Sequence, residues 1–284
     1  MSDLRLDATQ LDRYSRHVIM DEIGPEGQQR LLDASVLVVG AGGLGSPAIQ
    51  YLAAAGVGRL GIVDDDVVER SNLQRQIVHG DDDVGRPKVE SAADYVTALN
   101  PDIDVEPHET RITAANVADL VDEYDVVLDA SDNFATRYLL NDHCVLTGTA
   151  LSHGAIYRFE GQVTFFTNER SSKAADEDAD APPCYRCIFP EAPEPGTVPD
   201  CATTGVLGVL PGTVGCIQAT EVVKYILGKG EVLEGRLLMY DAMDMTFETV
   251  DVLANPSCPV CSDDPEIESV EDVAYEGSCQ ISAD

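Results

Sequence analysis

Val36–Gly45, VLVVGAGGLG, read together with Ile62–Gln76, IVDDDVVERSNLQRQ, decides the fold. The β-branched run Val36–Val39 has the composition of a strand buried on both faces. Gly40, Gly42 and Gly45 then give G-x-G-x-x-G, and Ser46–Ala55 reads as a helix. Side chains at those positions would keep backbone N–H groups from reaching a phosphate at the helix N-terminus. Asp64 follows about 20 residues on, at the end of the next apolar run, where an acid accepts hydrogen bonds from ribose hydroxyls. The stretch therefore predicts a nucleotide site over residues 40–66. The alternative is a strand–turn–helix whose glycines serve packing alone.

Outward from this stretch, strands and helices alternate. Thr9–Asp12 suggests a capping box opening a helix with Leu11, Tyr14 and Val18 on one face, and Pro25–Leu32 suggests a second helix. Pro87 suits the first position of a helix, which puts Lys88 in its first turn and ends at Asn100-Pro101. Ile103–Pro107 reads as a strand, Ala114–Tyr124 as a helix, Asp125–Ala130 as a buried strand and Arg137–His143 as helical. This pattern predicts an α/β fold with a doubly wound, mostly parallel Rossmann-like sheet. Ligands of such a sheet sit outside the carboxyl ends of its strands, where both Asp64 and Asp132 fall. Further on, Gln162–Thr167, Leu237–Asp241 and Phe247–Val252 read as antiparallel edge strands, and Val214–Leu227 as a helix. Residues 169–200 are rich in acids and prolines and read as mobile loops. One domain is expected over 1–262, with a nucleotide-binding half to about 168 and a C-terminal half over 201–262. Residues 263–284 read as a loose acidic tail in which Val270–Tyr275 could pair.

The chain has 284 residues and a formal charge of -33. Lysine occurs only at Lys88, Lys173, Lys224 and Lys229. Such a surface repels itself in dilute buffer, whereas at about 1 M salt the Debye length is only about 3 Å. The acidity reads as adaptation to a salty, halophilic cytoplasm, with a functional acidic patch as the alternative. It disfavours nucleic acid as a direct partner, because phosphate binding needs a basic footprint. The start, MSDLRLDATQ, has no signal-peptide character, and no apolar run approaches the length of a membrane span. A cytoplasmic protein without membrane contact is expected.

Eight cysteines without a secretory signal argue against a disulfide framework. Cys184-x-x-Cys187 and Cys258-x-x-Cys261, separated by about 70 residues, predict one closed, structural Zn²⁺ site of four thiolates. Cys144 and Cys216 read as core. The histidines at 17, 79, 108, 143 and 153 have no ligand or triad spacing and read as structural or exposed.

RYSRHVIM, GAGGLGSP, DDDVVERSNLQRQ, GRPKVE, DASDN and both C-x-x-C pairs, in that order, resemble the ThiF/MoeB adenylyltransferases related to ubiquitin-activating enzymes. The resemblance spans nearly the whole chain. It is strongest toward the archaeal enzymes that activate ubiquitin-like small modifier proteins and toward bacterial molybdopterin-synthase adenylyltransferase. It implies that Gly40, Gly42, Gly43 and Gly45 contact ATP through backbone, and that Asp64 holds the ribose, with Asp66 and Asn72 shaping the same wall. It also implies that Arg75 and Lys88 grip phosphates and that Asp132 positions Mg²⁺. Arg16 would reach across a homodimer into the neighbouring site, and Cys201, in PDCATTG, would take the activated acyl group or join in sulfur transfer. The implied reaction joins AMP to the C-terminal Gly-Gly carboxylate of ubiquitin-like or sulfur-carrier proteins, for protein conjugation, tRNA thiolation or molybdopterin synthesis. A separate protein would donate sulfur.

The chemistry agrees with that set of residues. A carboxylate is already a nucleophile, so attack on the α-phosphate needs positioning and positive charge rather than a general base. Three rivals remain at this level: an NAD-dependent oxidoreductase, a relative that dehydrates a modified tRNA base, and the non-catalytic scaffold half of a heterodimer. Arg137, Arg158 and Arg170 read as surface ion pairs.

Overall fold

The run SVLVV forms β1 (Ser35–Val39) at the centre of an eight-stranded sheet, and its alternate side chains feed two different cores. The structure, a computed structural model, describes residues 6–169, 182–193 and 205–275. The remaining strands are β2 (Arg59–Val63), β3 (Asp104–His108), β4 (Val126–Asp129), β5 (Ala150–Tyr157), β6 (Glu160–Phe166), β7 (Arg236–Asp241) and β8 (Thr246–Asp251). Their order across the sheet is β3-β2-β1-β4-β5-β6-β7-β8. From β3 to β5 all pairings are parallel, and from β5 to β8 they are antiparallel. The expected doubly wound sheet with antiparallel edge strands is therefore what the chain forms.

The helices are α1 (Ala8–Arg13), α2 (Ser15–Val18), α3 (Gly24–Asp33), α4 (Gly45–Ala55), α5 (Lys88–Leu99), α6 (Val117–Val121), α7 (Phe134–Thr147), α8 (Tyr185–Ile188) and α9 (Val209–Leu227). Val36, Val38, Leu60, Ile62 and Leu128 pack against α3, α4, α5 and α9 on one face. Leu37, Val39, Val63 and Val127 pack against α6, α7 and Tyr185 on the other. Both faces of β1 are covered, so a continuous apolar run was required there.

Strand order reverses between β1 and β4, which are hydrogen-bonded neighbours, and the chain ends leaving them diverge to opposite faces. Two glycines make this close approach possible. Gly40 has φ +102°, and a Cβ there would lie 2.7 Å from the Ala130 carbonyl oxygen at the end of β4. A Cβ on Gly45 would lie 1.8 Å from the Gly40 carbonyl oxygen. The turn thus folds back on itself without room for a methyl group.

Several local expectations are corrected. The capping box sits at Asp7 and Gln10 rather than at Thr9 and Asp12, with the Asp7 carboxylate accepting from the Thr9 and Gln10 N–H groups. Helix α6 is shorter than Ala114–Tyr124 because Asn116 accepts hydrogen bonds from the N–H and hydroxyl of Thr113, a local alternative to helix. Helix α9 starts earlier than Val214, since Pro211 falls in the first turn, where its missing N–H has no helical partner to lose. Strand β5 was not expected at all: Ser152, His153 and Gly154 interrupt its apolar pattern, but β4 and β6 bury them on either side.

Residues 170–181 and 194–204, most of the expected mobile loops, lie outside the described residues. Between them, 182–193 is packed, with Tyr185 and Arg186 buried. The expected loose tail is likewise not loose through residue 275. Val270 is buried in the core beneath α7, and the Tyr275 hydroxyl donates to Asp142 at 2.8 Å.

The glycine contacts give a paired expectation. Gly45→Ala should cost about 1–3 kcal/mol or more of stability through overpacking. Gly42→Ala, which would meet only the Gln76 side-chain amide at 3.6 Å, should stay within about 0.5 kcal/mol. Chemical or thermal unfolding of both variants in molar KCl checks the difference.

Candidate functional site

The crevice is built outward from the glycine turn. The Asp64 carboxylate, at the end of β2, accepts hydrogen bonds from the Ala41 N–H at 2.8 Å and the Asp66 N–H at 2.9 Å. Lys88 opens α5 and is buried, with Nζ 2.7 Å from Asp66 and 3.7 Å from Asp64. Burial pushes the Asp64 carboxyl above its ordinary range, against the pull of Lys88 and the two N–H donors. Lys88 therefore offsets one mostly buried acid, Asp64, and one exposed acid, Asp66.

Arg75 and Gln76 come from the segment after β2. Asn72 bonds the Glu69 N–H with its side chain and accepts the Arg75 and Gln76 N–H groups on its carbonyl, forming the short turn that presents both residues. The Arg75 Cγ lies 3.5 Å from the position a Gly43 Cβ would occupy, and Pro211 of α9 closes the other side at 3.2 Å. His79 bridges the Ala41 carbonyl and the Ser91 hydroxyl, both at 2.9 Å. Burial holds its imidazole below the usual range, so the ring is neutral and steadies the turn as a hydrogen-bonding strut.

The far wall is the end of β4. The Asp129 carboxylate is buried and takes the N–H and hydroxyl of Ser131 on one oxygen and His153 Nδ1, at 2.7 Å, on the other. Burial alone would raise Asp129, but the hydrogen bonds from His153 and Ser131 and the charge of Arg137 hold the carboxyl low. Burial, the larger effect at His153, holds the imidazole low despite Asp129. The pair is thus a carboxylate bonded to a neutral imidazole. Asp132 follows, exposed, before Asn133 caps α7 through the Thr136 N–H at 2.9 Å.

The structure accordingly brings Gly40, Gly42, Gly43, Gly45, Asp64, Asp66, Arg75 and Lys88 together, with Asn72 supporting them and Asp132 leaving the adjoining strand end. Arg16 is not brought to this crevice. Its neighbours anchor at the opposite end of α4: a Cβ on Gly56 would lie 2.6 Å from the Tyr14 ring, and His17 reaches the Ala55 carbonyl through Gln28. Cys201 lies outside the described residues.

Sequence reasoning missed Arg137. It is not a surface ion pair: its guanidinium stands over the Phe134 ring and donates to the Ser131 carbonyl at 3.3 Å. Its Nε and the Gln76 Oε1 are buried atoms with no hydrogen-bond partner among the described residues. Two unpaired polar atoms flanking one crevice fit a polar ligand held between them. The spacing from Asn133, one turn into a helix whose first residues end a strand, was the available signal. A surface hollow of about 540 Å³ elsewhere, lined by Arg30, Asp33, Asp125 and Glu169, carries more acid than base and suits phosphate poorly.

The four-cysteine site lies behind this wall. The Sγ atoms of Cys184, Cys187, Cys258 and Cys261 all lie within 4.8 Å of one another, with contacts of 3.3, 3.6 and 4.0 Å. Thiolates about 2.3 Å from a tetrahedral metal ion stand about 3.8 Å apart, so the donor set fits such an ion, and a disulfide at about 2.05 Å is not formed. The Asn255 N–H donates to the Cys187 sulfur at 3.3 Å. Arg186, between the first two cysteines, forms a two-pronged buried ion pair with Asp142, both bonds 2.7 Å. Asp142→Ala should therefore destabilise the fold by about 3–5 kcal/mol, because it strands a buried guanidinium. Denaturant unfolding checks this, with Asp142→Asn expected to lose less.

Residues 14–260 match the ThiF family. The SAMP-activating enzyme E1 of Haloferax volcanii is 67% identical over 281 residues, covering 99% of each chain. The sulfur carrier protein adenylyltransferase of Thermus thermophilus is 50% identical over 278 residues, covering 98% of this chain and 100% of its own. A crystal structure of E. coli MccB with AMPCPP and selenomethionyl MccA shares the fold at a TM-score of 0.76 and 20% identity, covering 90% of this chain and 76% of that one. By the extent of the family match and the near-complete overlap with these relatives, the chain belongs to the ThiF family.

Proposed function

We propose that the protein is an ATP-dependent adenylyltransferase acting on the C-terminal Gly-Gly carboxylate of small ubiquitin-like or sulfur-carrier proteins. What supports this reading is a glycine turn that carries Asp64 and Arg75, with Lys88 beside Asp64, and that rests on Ala130, two residues before Asp132, in a chain whose basic residues are few. In this reading the ribose binds Asp64, whose two oxygens keep lone pairs free beyond the N–H bonds they accept. Asp66 and Asn72 shape that wall, and the glycine backbone faces the phosphates.

A carboxylate oxygen of the carrier attacks the α-phosphorus. A bond from that oxygen to phosphorus forms, the bond to the bridging oxygen of pyrophosphate breaks, and the products are an acyl-adenylate and pyrophosphate. Arg75 and Lys88, the latter turning from Asp66, offset the charge that builds on the departing group. Mg²⁺, held by Asp132, would supply further charge stabilisation along the phosphates. Glycine at the carrier's end suits a narrow approach because it brings no side chain.

We infer a homodimer in which Arg16, exposed on α2, serves the neighbouring copy's site. Exposed apolar side chains at Ile19, Met20, Tyr51 and Ile77 support self-association. The four thiolates suit Zn²⁺ in a closed structural site. Cys201 is proposed as the acceptor of the activated acyl group or a participant in sulfur transfer, with sulfur from a separate donor protein. The products would feed protein conjugation, tRNA thiolation or molybdopterin synthesis. The acidic composition supports a salty cytoplasm, and no described helix is long and apolar enough to cross a membrane.

ATP–pyrophosphate exchange in about 2 M KCl, with small Gly-Gly proteins added singly, tests the reading. Exchange should depend on the carrier and fall about 100-fold or more in Lys88→Ala and Asp132→Ala. Tighter binding of NAD than of ATP-Mg, or a parent without exchange, would overturn it. The melting temperature should also rise steadily from 50 mM to 2 M KCl, as screening relieves self-repulsion, and a flat profile in calorimetry would count against the salt adaptation.

A further inference from the structure

The four-cysteine cluster and the crevice are joined by a short run of buried side chains. Tyr185 directly follows Cys184, and its N–H donates to the Asn141 side chain at 2.8 Å. Its ring packs edge-on against Tyr138 and stands 4.7 Å from the His153 imidazole. His153 lies opposite Asp129 in the β4–β5 register and bonds its carboxylate. The same carboxylate fixes Ser131, the residue before Asp132, by two hydrogen bonds. One residue earlier, Ala130 is the floor on which Gly40 and Gly45 rest. Asp129, His153 and Tyr185 are 1%, 3% and 2% exposed, so this path is packed end to end with no water layer to soften it.

We propose that Tyr185 is a positioning residue that couples the metal cluster to the adenylation crevice through His153, Asp129 and Ser131. A staple serving only residues 182–193 would need no contact with β5. Here the residue beside the first thiolate braces the imidazole that bonds Asp129. Metal bound at the cysteines fixes the start of α8, α8 fixes the Tyr185 ring, and the ring fixes His153. Loss of that brace frees Asp129 to change rotamer, which releases the Ser131 N–H and lets Asp132 wander. The kinetic consequence rests on the adenylation reading; the coupling itself does not.

Hydrogen–deuterium exchange of the full, zinc-loaded chain in molar KCl tests the coupling at the Ser131 amide. Tyr185→Leu should speed exchange there about 10-fold while Val36–Val39 keeps its protection and metal content stays unchanged. Tyr185→Phe, which keeps the ring, should restore parental exchange. In pyrophosphate exchange, Tyr185→Leu should raise the KM for ATP about 5-fold and leave the KM for the carrier unchanged. If the variant loses its metal, the parent stripped by a chelator serves instead, with the same local loss expected. Retained protection at Ser131 overturns the proposal, as does a loss spread equally to Val36–Val39, which marks a merely structural role. A parent without pyrophosphate exchange would defeat the functional reading, and Ser131 would still decide the coupling.

Discussion

The molecule depends on one steric constraint: the glycine turn after β1 must lie against the backbone end of β4. Gly40 meets the Ala130 carbonyl, and Gly45 meets the Gly40 carbonyl, at distances no side chain survives. Because these strands are neighbours where the order of the sheet reverses, the approach leaves a crevice whose two walls come from distant parts of the sequence. Three side chains of the crevice are placed relative to that turn. Asp64 is tied to the turn by the Ala41 N–H, His79 by the Ala41 carbonyl, and Arg75 by packing on Gly43.

Charge economy is the second organising feature. In a chain this acidic, a buried lysine beside two carboxylates locally weakens the surrounding negative field. Lys88 pairs with both Asp64 and Asp66 at short range. The lysine itself is buried, where its charge acts over several ångströms with less screening than at the surface.

On the opposite face of the sheet, the segment carrying the first two cysteines is tied to α7. The Asp142–Arg186 pair, the Asn141–Tyr185 bond and the Tyr138 hydroxyl on the Phe189 carbonyl all fasten residues 184–189 to α7. Tyr275 completes the same anchor from the C-terminal segment. Helix α7 starts at the crevice with Asn133 and Arg137 and carries the anchor along its middle, so one rigid element borders both sites.

The alternation of buried runs and helices, the glycine spacing, Asp64 and the paired C-x-x-C motifs were legible in sequence because each is a local pattern: periodicity, a backbone requirement or ligand spacing. Arg75, Lys88, Asp132 and Arg16 were named through an ordered set of motifs, and their distances from one another were not. Strand β5 and the Asp129–His153 pair were invisible, because each owes its burial to a neighbour far away in the chain. A short polar segment such as Ser152–Gly154 becomes a strand only when two flanking strands accept its hydrogen bonds. Sequence alone determined the kind of sheet, where the turn lies and which cysteines gather. Tertiary structure alone decided which polar groups face one another across the crevice, since that follows from how strand ends far apart in the chain meet when the sheet closes.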